Sequence, residues 1–131
     1  MTSFISHTTI DAQDAYALST WWKDLLGYTD MPDDPNSPGD EECMIQRADG
    51  GHQVLFIEVP DTKQGKNRLH LDLRPADRSR DDEVDRLLAA GATLVSDQRG
   101  IRGPGSGWAV LADPEGNEFC ILRSPAELAA G

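Results

Sequence analysis

The sequence has few cysteines and no long apolar segment. Its 131 residues include only Cys43 and Cys120, and two cysteines do not make a disulfide framework, so we expect a reduced, cytoplasmic setting. No apolar run approaches the roughly 20 residues that a membrane-spanning helix needs, and the first residues lack the pattern of a signal peptide. These absences predict a soluble protein without a membrane partner.

Basic residues are also scarce relative to acidic ones. The chain carries 12 lysines and arginines against 23 aspartates and glutamates, which gives a formal net charge of −11. A surface of this charge repels the phosphates of nucleic acids, so we expect no nucleic-acid partner. A length of 131 residues is typical of one small domain that can bury a core.

The two halves of the chain carry the same features in the same order. Each half is predicted to run from a strand through an aspartate-capped helix, which ends at a glycine, into three further strands. His70 follows His7 by 63 residues, Asp77 follows Asp14 by 63, and the later strands match at an offset of 65. Repeated matches in chain order indicate an internal duplication. The predicted modules cover residues 1–62 and 63–131 of a single domain.

Hydrophobic periodicity and turn residues predict the bounds of the elements. In the strand expected at 67–74, Leu69 and its alternate neighbours face one side and polar residues face the other. His52 follows two glycines and is predicted to be exposed, and the glycine-rich segment 99–107 suggests a mobile flap. The predicted helices cover 14–26 and 78–90, and the predicted strands cover 4–11, 28–31, 42–48, 53–59, 67–74, 92–97, 107–113 and 117–123.

Three segments resemble motifs of the glyoxalase-like, vicinal-oxygen-chelate superfamily. Residues 21–27 (WWKDLLG) are similar to the end of that superfamily's helix, 111–122 to its closing hairpin, and 66–73 to a glyoxalase-like subgroup. The resemblance spans nearly the whole chain. It implies an α+β fold of two βαβββ modules, whose strands form a cupped mixed sheet with the helices outside. It also implies a homodimer that binds a small molecule, or a divalent metal, inside the cup.

The resemblance places metal ligands on the first and last strand of each module. The first-strand positions are His7 and His70, and imidazoles suit zinc, nickel, iron or manganese. The last-strand position, usually glutamate in the family, is Cys120 in the second module, and its repeat counterpart is Leu55. The expected carboxylate is therefore missing from the ligand set.

Two alternatives restore a third metal ligand. Cys120 as a thiolate would complete a two-histidine, one-cysteine set that suits zinc with one open position. Glu118, two residues earlier on the same strand face, is the other candidate, and Gln53 is its repeat counterpart. A pocket that binds its ligand without a metal is the other interpretation. Its polar contacts would be His7, Arg68, His70, Asp72 and Glu118. The predicted ligand-binding residues are Arg68, Gln53, Leu55 and Trp108, the last as one wall of the pocket.

Two classes of function follow from these alternatives. In the first, a metal held by His7, His70 and Cys120 polarises the oxygens of a small substrate in a lyase, isomerase or dioxygenase-type reaction, with Glu118 or Asp72 as the base. In the second, the protein sequesters a drug or metabolite without a metal, like the bleomycin-resistance branch of the superfamily. The missing glutamate favours the second class.

Overall fold

Each half of the chain forms one four-stranded mixed sheet with an α-helix between its first two strands. The structure is a computed structural model that describes residues 2–131. It divides into two units, the first ending at Thr62 and the second beginning at Lys63, and each is described by itself. The α+β class with two βαβββ modules is confirmed. The elements in chain order are β1 Thr8–Ala12, α1 Ala15–Leu26, β2 Thr29–Asp30, β3 Glu42–Gln46, β4 Gln53–Glu58, β5 Leu71–Leu73, α2 Arg80–Ala89, β6 Thr93–Asp97, β7 Ala109–Ala112, β8 Glu118–Ile121 and α3 Pro125–Ala129.

The helix of the first unit has the ends that the sequence predicts. The Asp14 side chain accepts a hydrogen bond from the Ala17 amide at 3.0 Å, and Gly27 ends the helix with φ 68°. The left-handed conformation at this position favours glycine, because glycine has no Cβ to clash with the backbone. The buried side of α1, which includes Leu18 and Trp22, packs on β3 and β4. This packing buries one face of the first sheet.

The two sheets share their strand order and their register. The first has the order β1-β4-β3-β2 and the second β5-β8-β7-β6, with the first strand of each parallel to the last. Thr8 pairs with Val54 in the first sheet, and Leu71 pairs with Phe119 in the second. These pairs are related by the offsets of 63 and 65 found in the sequence, so the repeat extends to individual backbone pairs.

In the second unit, the strand β5 and the helix α2 are both shorter than the sequence predicts. The strand expected at 67–74 contains only Leu71–Leu73, and Leu69 is 89% exposed, because β8, its pairing partner, starts only at Glu118. The cap of α2 is Ser79 rather than Asp77. The Ser79 side chain accepts a hydrogen bond from the Asp82 amide at 3.1 Å, so the helix begins two residues later than expected.

A short C-terminal helix, α3, was not predicted from the sequence. Ser124 and Glu127 form a capping box, in which each side chain accepts a hydrogen bond from the backbone N–H of the other. Pro125 follows the cap at the first helical position, where its lack of an N–H does no harm. The run Ser-Pro-Ala-Glu is the signal that would have predicted this helix.

The described residues bear on two sequence features, the lack of long apolar segments and the small number of cysteines. Within residues 2–131, no helix has the length and apolar character that crossing a bilayer requires. Cys43 and Cys120 are both buried, and both are free thiols.

Candidate functional site

One face of the second sheet forms a concave pocket. Asp72 on β5 pairs with Cys120 on β8, Cys120 with Val110 on β7, and Val110 with Ser96 on β6. Directly paired residues point to the same face of a sheet, so these four side chains form a row across all four strands. The pocket has a volume of about 490 Å³ and is lined by Lys66, His70, Asp72, Ser96, Gln98, Trp108, Val110, Cys120 and Leu122.

Three potential metal ligands meet in the wall of this pocket. His70 Nδ1 lies 3.1 Å from Asp72 Oδ1 and 3.7 Å from Cys120 Sγ. The three donor atoms all lie within 4.8 Å of one another, and among the residues that the structure describes no other His, Cys, Asp or Glu group meets this condition. Cys120 is only 3% exposed, whereas His70 and Asp72 reach the solvent. The sulfur therefore forms the floor of the group, and the nitrogen and oxygen form its open side.

The Cys120 thiol is protonated in this environment. Burial raises the pKa of Cys120 to about 11, and the nearby Asp72 carboxylate adds to the rise because it disfavours a second negative charge. At neutral pH the side chain is a neutral thiol, so it is not an activated nucleophile by itself.

Glu118 lies in a different set of contacts. Its side chain is largely buried and forms ion pairs with Lys66 and with Lys63, the latter at 3.4 Å. The hydrogen bond from Lys66 lowers the pKa of Glu118, and the charges of both lysines act in the same direction. Glu118 is therefore an ionised carboxylate whose charge is balanced by the two lysines, and it lies outside the three-residue group.

The remaining predicted site residues are distributed over both units. In the first unit, Gln53 and Leu55 are half-buried on β4, and His7 Nδ1 lies 2.9 Å from Ser6 Oγ just before β1. In the second unit, Trp108 is one of the residues that line the pocket, whereas the exposed Arg68 is not among them. The structure brings together His70, Asp72, Cys120 and Trp108 of the predicted set.

His52 is not the exposed turn residue that the sequence suggested. Its Nδ1 lies 2.7 Å from the Tyr28 hydroxyl and its Nε2 lies 3.4 Å from Thr8 Oγ1. Burial raises the pKa of Tyr28, so its hydroxyl stays protonated and can donate to the ring. The missed signal is the position of His52 directly before β4, whose pairing with β1 brings it beside Thr8.

The glycine-rich segment 99–107 is hydrogen-bonded to the first residue of α2. Arg80, 5% exposed, donates hydrogen bonds from Nη1 to the carbonyl oxygens of Ser106 and Gly107 at 2.8 and 3.0 Å. Inside the segment, the Gly100 amide donates to the Ser106 carbonyl. These bonds describe a held loop rather than a free flap, and the loop leads directly into Trp108 of the pocket wall. The sequence analysis did not single out Arg80, because its role depends on contacts 26 residues away.

Comparisons with known proteins agree with this fold. The family model described as "Glyoxalase-like domain" matches residues 7–122. The fosfomycin resistance protein FosX from Listeria monocytogenes, solved as a mutant with Mn(II) and 1S,2S-dihydroxypropylphosphonic acid, has a TM-score of 0.70 at 19% identity, over 97% of this chain and 94% of that one. FosX from Mesorhizobium loti has a TM-score of 0.67 at 14% identity, over 100% of both chains.

A third solved structure, a possible glyoxalase from Bacillus cereus, has a TM-score of 0.64 at 14% identity, over 92% of this chain and 99% of that one. No curated protein sequence matches the chain. Identities of this size show a shared fold and nothing finer.

Proposed function

The chain belongs to the glyoxalase-like domain family, because the family model matches residues 7–122, and from this premise we propose that it binds a small oxygen-bearing molecule beside a divalent metal ion. The observation that supports the proposal is the meeting of His70, Asp72 and Cys120 in the wall of a pocket. The FosX structure from Listeria monocytogenes was solved with Mn(II) and a dihydroxypropylphosphonic acid, so this fold can hold both partners at once.

The residues of the second unit fit a metal by their chemistry. Imidazole nitrogen, carboxylate oxygen and cysteine sulfur are all ligands of Zn²⁺ in proteins. Within this unit His70 and Cys120 would hold the ion, while His7, the other ligand predicted from the sequence, belongs to the first unit. A bound ion would supply Lewis acidity toward the oxygens of the ligand. The enzymatic form of the proposal is a lyase-, isomerase- or dioxygenase-type reaction of that molecule.

The proton-transfer roles predicted from the sequence divide between two carboxylates. Asp72 contacts His70 at the pocket wall, at 3.1 Å from Nδ1, and is exposed to whatever occupies the pocket. Glu118 is paired with two lysines and has a lowered pKa, which makes it a weak proton acceptor. We therefore assign the general base to Asp72 and a charge-balancing role to Glu118.

The proposal is tested by metal content and thermal stability. Protein purified without chelators is analysed for bound elements, and metal-depleted protein is then melted with Zn²⁺, Ni²⁺, Mn²⁺ or Fe²⁺. A ligand at 100 times its dissociation constant stabilises the native state by about 2.7 kcal/mol, so a bound ion raises the melting temperature by several degrees. The rise should be absent in His70→Ala. If no metal co-purifies and none shifts the melting temperature, the metal-assisted function is wrong.

A metal-free binding protein is the second candidate, and one observation favours it. The apolar side chains of Val110 and Leu122 are among those that line the pocket. Such a pocket suits sequestration of a drug or metabolite without chemistry. Titration of metal-depleted protein with a panel of small molecules separates the two candidates, since only the second predicts unchanged affinity after metal removal.

Two further parts of the proposal concern the protein in solution. We propose a cytoplasmic location, in keeping with two free thiols, and a homodimer. Light scattering after gel filtration tests the dimer, and a mass of one chain over the working concentration range would contradict it.

A further inference from the structure

Two of the three donor residues of the pocket lie on neighbouring strands with a fixed register, and the third, His70, directly precedes β5. Asp72 pairs directly with Cys120 in the parallel β5–β8 ladder. His70 lies two residues before Asp72, and such spacing places side chains on one face of an extended chain. The observed separations of 3.1 and 3.7 Å from His70 Nδ1 agree with this. Backbone pairing therefore places Asp72 beside Cys120, and the two-residue spacing places His70 on the same side.

The first unit serves as an internal comparison. By the offsets of 63 and 65, the counterparts of His70, Asp72 and Cys120 are His7, Thr9 and Leu55, and Thr9 pairs with Leu55 just as Asp72 pairs with Cys120. Thr9 has a hydroxyl where Asp72 has a carboxylate, and Leu55 has an alkyl side chain where Cys120 has a thiol. The same backbone positions thus carry one strong metal ligand in the first unit and three in the second.

The chemistry of the three donors distinguishes between classes of cation. A sulfur ligand favours borderline or soft ions such as Zn²⁺, whereas Mn²⁺ and Mg²⁺ favour oxygen ligands. Cys120 lies at the buried end of the group with its Sγ 3.7 Å from His70 Nδ1, so an ion held between all three donor atoms would contact the sulfur. Asp72 in turn supplies the carboxylate oxygen that residue 120 does not provide.

We propose that His70, Asp72 and Cys120 form a self-contained site for a zinc-class cation within the second unit, with Asp72 as a ligand in place of the missing last-strand glutamate. The inference rests on the proposed function only in using the same pocket, and it makes Asp72 a ligand of the ion in place of the general base proposed above. It makes His7 dispensable for binding the ion, and it predicts preference for Zn²⁺ over Mn²⁺.

The test uses Co²⁺ and Zn²⁺ alone, without an organic ligand. Co²⁺ added to the metal-depleted chain should give a thiolate-to-cobalt charge-transfer band in the near ultraviolet, and Cys120→Ser should abolish that band. Zn²⁺ affinity, measured by competition with a chromophoric chelator, should fall at least tenfold in His70→Ala, Asp72→Asn and Cys120→Ser, in the range of about 10–100-fold known for residues that support metal ligands. Circular dichroism and thermal melting without metal show whether each variant is folded.

Two further variants serve as matched controls for the Zn²⁺ affinity measurements. His7→Ala removes the repeat counterpart of His70 and should leave Zn²⁺ affinity within twofold. Asp85→Asn removes an exposed carboxylate of α2 and should do the same, which controls for the loss of one negative charge.

Several outcomes would overturn the inference. Equal losses in His7→Ala and His70→Ala would mean that both modules supply ligands. A cobalt band that survives in Cys120→Ser, unchanged affinity in Asp72→Asn, or tighter binding of Mn²⁺ than of Zn²⁺ would each contradict it. Zinc binding by these three residues in a protein that binds no small molecule would uphold the inference and remove the proposed function.

Discussion

The buried guanidinium of Arg80 allows a quantitative test of how the pocket wall is held. Arg80→Ala removes two charge-assisted hydrogen bonds to the loop, from Nη1 to the carbonyl oxygens of Ser106 and Gly107 at 2.8 and 3.0 Å. It also removes the bond from Nε to the exposed Asp81 carboxylate at 3.0 Å, which contributes little because it is solvated. Hydrogen bonds to charged groups contribute roughly 1.5–3 kcal/mol each. Both acceptor residues are half-buried, so water replaces part of what is lost. We expect the free energy of unfolding to fall by about 2–4 kcal/mol.

Urea denaturation followed by tryptophan fluorescence measures this change, because Trp108 directly follows the loop. Arg80→Lys keeps the positive charge but replaces a planar fork with a single ammonium, so we expect about half of the loss. Arg102→Ala is the matched control. Arg102 is an exposed arginine of the same loop, and exposed substitutions usually change stability by no more than about 0.5 kcal/mol.

Amide hydrogen exchange adds a local measurement. The Gly100 amide donates to the Ser106 carbonyl at 2.8 Å, and its exchange should accelerate in Arg80→Ala if the loop loosens. The reasoning is refuted if Arg80→Ala stays within about 0.5 kcal/mol of the wild type, or if Arg102→Ala is equally destabilising. Either result would mean that the loop is held by its internal hydrogen bonds alone.

Two further predictions concern the same loop and the strand before it. A Cβ at Gly107 would lie 1.9 Å from the Gln98 carbonyl oxygen, whereas at Gly105 the nearest heavy atom is 3.6 Å away on a side chain. Both glycines have positive φ, so the strain of a left-handed alanine should lower the free energy of unfolding of Gly105→Ala by roughly 1–2 kcal/mol. Gly107→Ala should lower it by clearly more. Equal losses in the two variants would contradict the predicted backbone clash. The Arg99 side chain lowers the pKa of Asp97 to about 2, below the unfolded value of about 3.9, so this exposed pair gives a small stabilisation that is present above about pH 4 and is lost as the pH falls toward 2. Carboxyl NMR titration should report a higher Asp97 pKa in Arg99→Gln, and an unchanged value would show that the side-chain bond is not the cause.

The sequence predicted most of the fold because its signals are local and repeated. Asp14 and Gly27 define α1 by their own backbone chemistry, and the structure places the helix ends there. The offsets of 63 and 65 predicted two modules, and the same two offsets relate the register of β1–β4 to that of β5–β8.

The errors fall where a neighbour decides the structure. The pattern around Leu69 alternates like a strand, but β5 can extend only as far as β8 offers backbone partners. His52 follows two glycines, which indicates exposure, but β1 and Tyr28 enclose it. Periodicity within one segment carries no information about such partners.

The candidate site shows the same division. His70 and Cys120 were predicted from their positions in the repeat and from the resemblance, and Asp72 was predicted as a base. Their meeting at one point depends on the pairing of residue 72 with residue 120, which no pattern within either strand specifies. Arg80 was missed altogether, since a buried arginine in a polar helix looks like any exposed one until its acceptors are known.

The shared register of the two sheets has a consequence for protein engineering. The first unit contains an unused copy of the backbone that positions the three donors, with His7 already in place before β1. Thr9→Asp together with Leu55→Cys would install the other two donors on directly paired positions. If register alone is sufficient, the double variant should bind two equivalents of Co²⁺ where the parent binds one, and the duplication would then supply both the template and the acceptor for transplanting a site.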